Sequence, residues 1–230
     1  MEYAKSISSL TEFYEKDMGQ ELVKQLADLL SSTLNIANEN VLVIGFGREY
    51  LESLRIKNVY YAIPNGYPVG HWPRIRPFRT IVIDEKSMPF QPHVWDVVMV
   101  IHFMEFCENN TFFLEELQRI IRNKGRLIIV AANKNSIFPK KYAIRNIKIS
   151  VGDMLSLLDN ASFEATNIFG INDKFKFWPN SFSHHLNKCS EVIVDIFPLI
   201  SNIVVIMAEK MKLADIPLKA LVSVTTVGAQ

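Results

Sequence analysis

Two glycines follow an apolar run near the start of the chain, where a buried strand would turn into a helix. Residues 41–44 (VLVI) are β-favouring, and Gly45-Phe46-Gly47 comes directly after them. Glycine tolerates the backbone conformations that such a sharp turn requires. The N–H groups at the start of a following helix also favour anionic ligands. Gly45 and Gly47 therefore predict a nucleotide-type cofactor site, and a turn needed only for packing is the alternative.

A second group of chemically capable residues lies in the segment PNGYPVGHWPRIRPFR, residues 64–79. Four prolines and two glycines exclude a helix of any length there. His71, Trp72 and Arg74 could stack on and pair with a planar anionic substrate, because arginine offers a forked set of donors. We predict a substrate-binding loop, and a surface loop held by Trp72 and the prolines is the alternative.

Composition bounds the class of protein. The chain has 230 residues, of which 49% are hydrophobic and 21% charged, which is typical of one soluble globular domain. Its net charge of +1 argues against nucleic acid as a partner, and a basic stretch around residues 133–150 is interpreted as a solvated lid. No run approaches the roughly 18 uninterrupted apolar residues of a membrane span. No pattern indicates an oligomeric state.

Cysteine and histidine usage predicts neither a disulfide framework nor a metal site. Cys107 and Cys189 are the only cysteines, so we expect a protein of the reducing cytoplasm. The adjacent His184 and His185 have no Cys or carboxylate at ligand spacing. Cys107 has no base placed beside it by the local sequence and is not expected to be a nucleophile.

Hydrophobic periodicity predicts strands that alternate with helices, which is typical of βαβ units and a parallel sheet. Residues 7–34 predict two helical pieces around Gly19. Gly125 is expected to give a left-handed cap after a helix over 111–122. Further predicted elements are strands at 41–44, 58–63, 80–83, 95–101, 126–132, 162–169 and 202–208, and a helix at 151–158. The predicted organisation is one domain over 1–212, with an N-terminal helical cap at 1–36, the Pro/Arg-rich loop at 64–79, a lid at 134–150 and a tail at 213–230.

Four segments together resemble class I S-adenosylmethionine-dependent methyltransferases of the type 11 kind. They are VLVIGFGREYL at 41–51, DEKSMPF at 84–90, WDVVMVIHFMEF at 95–106 and FLEELQRIIRNKGRLIIVAAN at 113–133. HWPR and the acidic pair at 84–85 further resemble a little-characterised alphaproteobacterial subgroup. The resemblance implies a three-layer α/β/α Rossmann-like fold, with a seven-stranded, mostly parallel sheet and an antiparallel last strand.

The resemblance also implies site residues. Gly45 and Gly47 would lie under the methionine part of S-adenosylmethionine, and Asp84 would accept a hydrogen bond from the adenine amino group. Ile101 would border the cleft at the end of the fourth strand. The alternative for Asp84 is a solvated turn residue or a helix cap.

His102 and Glu105 are the candidate catalytic residues, as a general base is needed when the acceptor must lose a proton. Histidine suits that role because it titrates near neutral pH. The alternatives are a hydrogen-bonded wall residue for His102 and a solvated residue for Glu105.

The predicted function is methyl transfer from S-adenosylmethionine to a small-molecule acceptor. The family usually ends its second strand with an acidic residue that holds the ribose, and this chain has YYAIP at 60–64 instead. That difference favours the alternative, a catalytically inactive module that binds a metabolite or a protein partner.

Overall fold

The computed structural model describes residues 2–33, 38–46, 56–65, 79–136, 149–171 and 199–211. Four helices and seven strands lie within them, and their order follows the alternation that the sequence predicts. The elements are α1 (Glu2–Tyr14), α2 (Asp17–Thr33), β1 (Asn40–Gly45), β2 (Asn58–Pro64), β3 (Thr80–Ile83), β4 (Trp95–Ile101), α3 (Asn110–Ile120), β5 (Ile121–Ala132), α4 (Val151–Asn160), β6 (Phe163–Ile171) and β7 (Ile203–Lys210).

The strands form one sheet in the order β3-β2-β1-β4-β5-β7-β6. All neighbours are parallel except β7, which runs antiparallel to both β5 and β6. The predicted mostly parallel sheet with an antiparallel last strand is confirmed. The strand order reverses between β1 and β4, and open α/β sheets bind ligands outside the carboxyl ends of strands at such a point.

Alternation along the strands builds two separate hydrophobic cores. Val41 and Val43 of β1 point to the face covered by α1 and α2, whereas Leu42 and Ile44 point to the face covered by α3 and α4. Successive side chains of a strand face opposite sides, so a strand covered on both faces reads as a continuous apolar run. The predicted three layers are therefore confirmed, with helices on both faces of the sheet.

Two local predictions were wrong. The break between α1 and α2 lies at residues 15–16, and Gly19 is inside α2. Gly19 has a packing role instead, since a Cβ there would lie within 3.0 Å of the Phe13 carbonyl and of Tyr14 Cα. After α3, Lys124 rather than Gly125 has the left-handed backbone, with φ of 60°. Gly125 is required for space against Ile121.

Candidate functional site

The glycine turn at the end of β1 is locked to the end of β4. Gly45 has φ of +91°, which side-chain-bearing residues rarely adopt. A Cβ on Gly45 would collide with the carbonyl oxygen of Ile101. That oxygen also accepts a hydrogen bond of 2.8 Å from the Phe46 N–H. The backbone conformation and the close packing therefore require glycine at position 45, independently of any ligand.

The residue after β4 takes a strained conformation. His102 has φ of 48°, and a left-handed conformation costs a residue with a side chain roughly 1–2 kcal/mol. Its N–H donates to the carbonyl oxygen of Val130 in β5 at 2.8 Å. The side chain is 1% exposed and turns back into the protein rather than toward solvent.

His102 is the centre of a buried hydrogen-bond chain that links three elements. Its Nδ1 lies 2.9 Å from Oε1 of Glu105, and its Nε2 lies 2.7 Å from the hydroxyl of Tyr14. The same Oε1 accepts the Ala132 N–H at 2.6 Å. All three side chains are buried. The two sequence-predicted catalytic residues are therefore in direct contact with each other.

The partners fix the tautomer of His102. A carboxylate oxygen that already accepts a backbone N–H accepts again from Nδ1, so Nδ1 is the donor. With a single proton on the ring, Nε2 is then the acceptor for the Tyr14 hydroxyl. The arrangement of hydroxyl, imidazole and carboxylate follows the orienting logic of catalytic triads, in which the acid fixes the ring of the histidine.

A cleft of about 300 Å³ opens at the carboxyl ends of β2 and β3, beside the turn that follows β4. Its lining includes the predicted Asp84, and Asn65 stands next to it at the end of β2. Apolar walls come from both sides of the cleft: Pro64, Ile83, Phe103 and Phe106. Glu85, Lys86 and Glu108 complete the lining, and Lys86 pairs with Glu108 at 3.8 Å between two exposed side chains.

Asp84 is held in a defined orientation by its own loop. One carboxylate oxygen accepts the Lys86 N–H at 2.9 Å, and the backbone of Asp84 bridges to Ser87. Asn65 N–H donates to the Ile83 carbonyl at 3.0 Å, which ties the ends of β2 and β3 together. Asp84 and Asn65 therefore both line the cleft, each directly after one of two paired strands.

An ion pair on α3 supports the loop that carries Asp84. Glu116 accepts the Met88 N–H at 2.9 Å and pairs with Arg119 at 2.8 Å. Arg119 donates in turn to the carbonyl oxygens of Phe90 and Met88. The hydrogen bond from Arg119 holds the pKa of Glu116 below its usual range, with a smaller contribution from the Met88 N–H.

Cys107 lies beside the cleft, and its thiol is a poor nucleophile. Burial raises the pKa of its thiol to about 12, and the nearby Glu85 adds to the effect. The thiolate is the nucleophilic form of cysteine. At neutral pH Cys107 therefore carries a proton, in agreement with the absence of a local base in the sequence.

Sequence reasoning missed the polar residues that surround this end of the sheet. Asn133 is fully buried and donates to the carbonyls of Leu199 and Ser201, at 2.7 and 3.1 Å. Its N–H donates to the carbonyl of Asn202 at 2.9 Å. The partners of such buried polar groups are distant in the sequence, so no local sequence pattern indicates which polar residues will be buried. Tyr14 was missed for the same reason.

Several predicted site residues lie outside the described residues. They are Gly47 of the glycine turn, and His71, Trp72 and Arg74 of the Pro/Arg-rich loop. His184 and His185 also lie outside them. Over the described ranges, no group of three or more His, Cys, Asp or Glu side chains is arranged to hold a metal ion. None of the described helices combines the length and apolarity needed to cross a membrane.

Comparison with known proteins agrees with this geometry. Residues 51–129 match the family model of a methyltransferase domain. An uncharacterized protein of Methanocaldococcus jannaschii is 35% identical over 63 residues, which are 27% of this chain and 28% of that protein. The chain thus spans little more than a quarter of the length of the curated relative that it matches.

Solved structures resemble the chain over most of its length. A SAM-dependent methyltransferase of Thermotoga maritima has a TM-score of 0.63 at 14% identity, covering 91% of this chain and 98% of that one. Geranyl diphosphate C-methyltransferase of Streptomyces coelicolor, solved with S-adenosyl-L-homocysteine, has a TM-score of 0.56 at 16% identity, covering 82% and 77%. The chain therefore has the Rossmann-like fold of class I methyltransferases, and its residues 51–129 match the methyltransferase domain family.

Proposed function

We propose that the protein transfers a methyl group from S-adenosylmethionine to a small-molecule acceptor. The observation that carries the proposal is the cleft at the carboxyl ends of β2 and β3, where Asp84 and Asn65 stand side by side. The family match over residues 51–129 and the fold support it. So does the S-adenosyl-L-homocysteine bound to the structurally similar geranyl diphosphate methyltransferase.

The residues of the cleft suit an adenosine group. The Asp84 carboxylate is an acceptor for the adenine amino group, and Ile83 and Phe103 offer apolar surface to the ring. β2 ends in Ile63 and Pro64 without a carboxylate, so the Asn65 amide takes the ribose hydroxyls in this proposal. Gly45 and Gly47 then lie under the methionine part, with Ile101 at the border. When bound, the cofactor supplies a methyl group activated by its sulfonium.

The protein has a modest chemical task, because the methyl group is already activated. Its residues must align the acceptor with the methyl carbon and keep water away, and proximity of this kind can supply a large part of a rate acceleration. Phe103 and Phe106 provide an apolar wall for that purpose. His102 and Glu105 remain the candidates for an acceptor that must lose a proton. In the described conformation His102 would exchange a proton through the hydroxyl of Tyr14.

Small molecules are the proposed acceptor class. Geranyl diphosphate is the substrate named for one structurally similar enzyme, and it is a small molecule. The near-neutral charge of the chain does not favour nucleic acid. Which acceptor is bound depends on the residues of the loops rather than on the fold.

Calorimetric titration with S-adenosylmethionine and S-adenosylhomocysteine tests the proposal. We expect both to bind wild-type protein, and Asp84→Asn to weaken binding about tenfold, because a hydrogen bond to a charged group is worth roughly 1.5–3 kcal/mol. Asp159→Asn, an equally conservative change at an exposed position of α4, is the control and should leave the affinity unchanged.

Two results would contradict the proposal at different levels. If folded wild-type protein bound neither compound at millimolar concentration, methyl transfer would be excluded. The missing carboxylate at the end of β2 would then favour the second candidate, an inactive module that binds another metabolite or a protein. If wild type bound both and Asp84→Asn bound equally well, only the assigned role of Asp84 would be wrong.

A further inference from the structure

Tyr14, the last residue of α1, reaches the end of the sheet where the cofactor is proposed to bind. Its hydroxyl contacts His102, which is 88 residues away in the sequence. We propose that Tyr14 is a positioning residue for the cofactor site, acting through His102 on the glycine turn of β1. The inference rests on the proposed function and adds to it that α1 is coupled to cofactor binding.

The corner between α1 and α2 fixes the Tyr14 side chain. Gly19 lets the start of α2 approach the Phe13 carbonyl and the Tyr14 backbone more closely than a Cβ would allow. Gln20 donates its side-chain N–H to the Tyr14 carbonyl. The Tyr14 ring stacks on Phe46, with ring centres 5.3 Å apart and planes at 26°. The tyrosine is thus held from its backbone and across its ring, and is 1% exposed.

The hydroxyl of Tyr14 completes the set of contacts that holds His102. Glu105 accepts a hydrogen bond from Nδ1, and the Tyr14 hydroxyl lies 2.7 Å from Nε2, so each ring nitrogen has a buried side-chain partner. His102 needs such restraints because its backbone is left-handed, with φ of 48°. A buried acceptor without its donor would favour another position of the ring, and of the turn with it.

The turn at His102 is joined to the glycine turn through one peptide group. The carbonyl of Ile101, which precedes His102, accepts the Phe46 N–H at 2.8 Å and is the surface against which Gly45 packs. Phe46 also contacts the Tyr14 ring directly. Tyr14 therefore touches the glycine turn by two routes, one through the stacked ring and one through the hydroxyl and His102.

Coupling of this kind is reciprocal. If docking of α1 shapes the glycine turn, bound cofactor must stabilise the docking of α1 by the same free energy. Saturation with S-adenosylhomocysteine should then slow hydrogen exchange of the α1 amides in wild-type protein. This measurement needs no variant, and unchanged exchange at saturation would overturn the inference.

Tyr14→Phe tests the hydroxyl route, because it removes the donor and keeps the ring on Phe46. We expect the Kd for S-adenosylhomocysteine to rise roughly fivefold, the factor that corresponds to one hydrogen bond. Ile7→Val is the matched control on α1. Ile7 is fully buried in the same core, so the variant loosens α1 by packing alone and keeps the Tyr14 hydroxyl on His102; it should raise the Kd less than Tyr14→Phe does.

Nitrogen-15 spectra of the imidazoles supply a readout that a packing change does not move. The chain has five histidines, so His102 can be assigned by substitution. We expect Nδ1 to carry a proton, and Tyr14→Phe should shift the Nε2 resonance while Ile7→Val does not. Retention of both the Nε2 shift and wild-type affinity in Tyr14→Phe would overturn the inference and leave the proposed function standing. Failure of wild type to bind S-adenosylhomocysteine would overturn both.

Discussion

Gly45 and the carbonyl oxygen of Ile101 are packed so closely that a Cβ on the glycine would lie within 3.0 Å of that oxygen. The two residues end β1 and β4, the strands between which the order of the sheet reverses. The same oxygen accepts the N–H of Phe46, so the contact is a fixed joint of the backbone. A ligand at this edge of the sheet would therefore meet a surface that is already organised.

Gly45→Ala is predicted to destabilise the fold by about 2 kcal/mol or more. A left-handed backbone and a steric conflict with main-chain atoms each cost on the order of 1–3 kcal/mol. The backbone oxygen cannot swing aside as the end of a flexible side chain could. Urea unfolding measures the change in the free energy of unfolding.

Gly152→Ala is the control for the loss of a glycine as such. In α4 the added Cβ would meet only Ser150 Oγ, at 3.9 Å. Alanine is favoured over glycine by roughly 0.8–1 kcal/mol in a helix interior, and by less in the first turn where Gly152 lies, so this variant should be at least as stable as wild type. Equal stability of Gly45→Ala and wild type would contradict the described turn.

The strands could be predicted because each reads as a short apolar run. WDVVMVI at 95–101 is a strand with the predicted bounds, and its last five side chains are buried almost completely. Burial of each such side chain stabilises the fold by roughly 1.5–3 kcal/mol. Packing in the folded protein therefore favours the same strand that the local pattern predicts. Thr80–Ile83 also has its predicted bounds, although Ile83 is the one side chain of that strand that is buried.

The helix corner and the buried chain could not be predicted, since both depend on contacts made by the folded protein. Gly19 suggested a break, but its missing side chain serves the packing of α2 against the end of α1. His102 and Glu105 were identified by type and position in the chain. That they contact each other, and that Tyr14 contacts His102, depends on how α1 lies on the sheet.

Glu116→Gln is predicted to make stability less dependent on acid pH. The pKa of Glu116 is held low by Arg119, so the folded state binds its proton less readily than the unfolded state does. The ion pair therefore stabilises the fold above the unfolded pKa of roughly 4.3, and this contribution is lost as the pH falls through the lower folded value. At pH 7 the variant should be less stable by about 1 kcal/mol, because Arg119 is one-third exposed and solvent weakens the pair.

Thermal unfolding from pH 7 to pH 3 measures the effect. The difference between Glu116→Gln and wild type should shrink as the pH falls below about 4. Glu115→Gln, at an exposed position on the same helix, is the control and should follow the wild-type curve. A constant difference at every pH would show that the variant acts through packing rather than through the charge of Glu116.

Lys210 at the end of β7 gives a prediction of the opposite kind, at alkaline pH. Its side chain is buried, and Nζ donates to the carbonyl of Ile121 at 2.8 Å and to that of Gln118 at the end of α3. Burial lowers the pKa of Lys210, so the folded state releases the proton before the unfolded state does. Between the two pKa values the unfolded state holds more protons, and stability must rise with pH there.

Lys210→Met should remove that rise, because methionine fills a similar volume and does not titrate. The free energy of unfolding of wild type, relative to that of Lys210→Met, should therefore increase as the pH rises toward roughly 10.4, the pKa of an unperturbed lysine. Lys86→Met provides the control, since the Lys86 side chain is 59% exposed. Parallel curves for wild type and Lys210→Met would mean that the ammonium group keeps its proton in the fold as readily as in the unfolded chain, held by the two carbonyls.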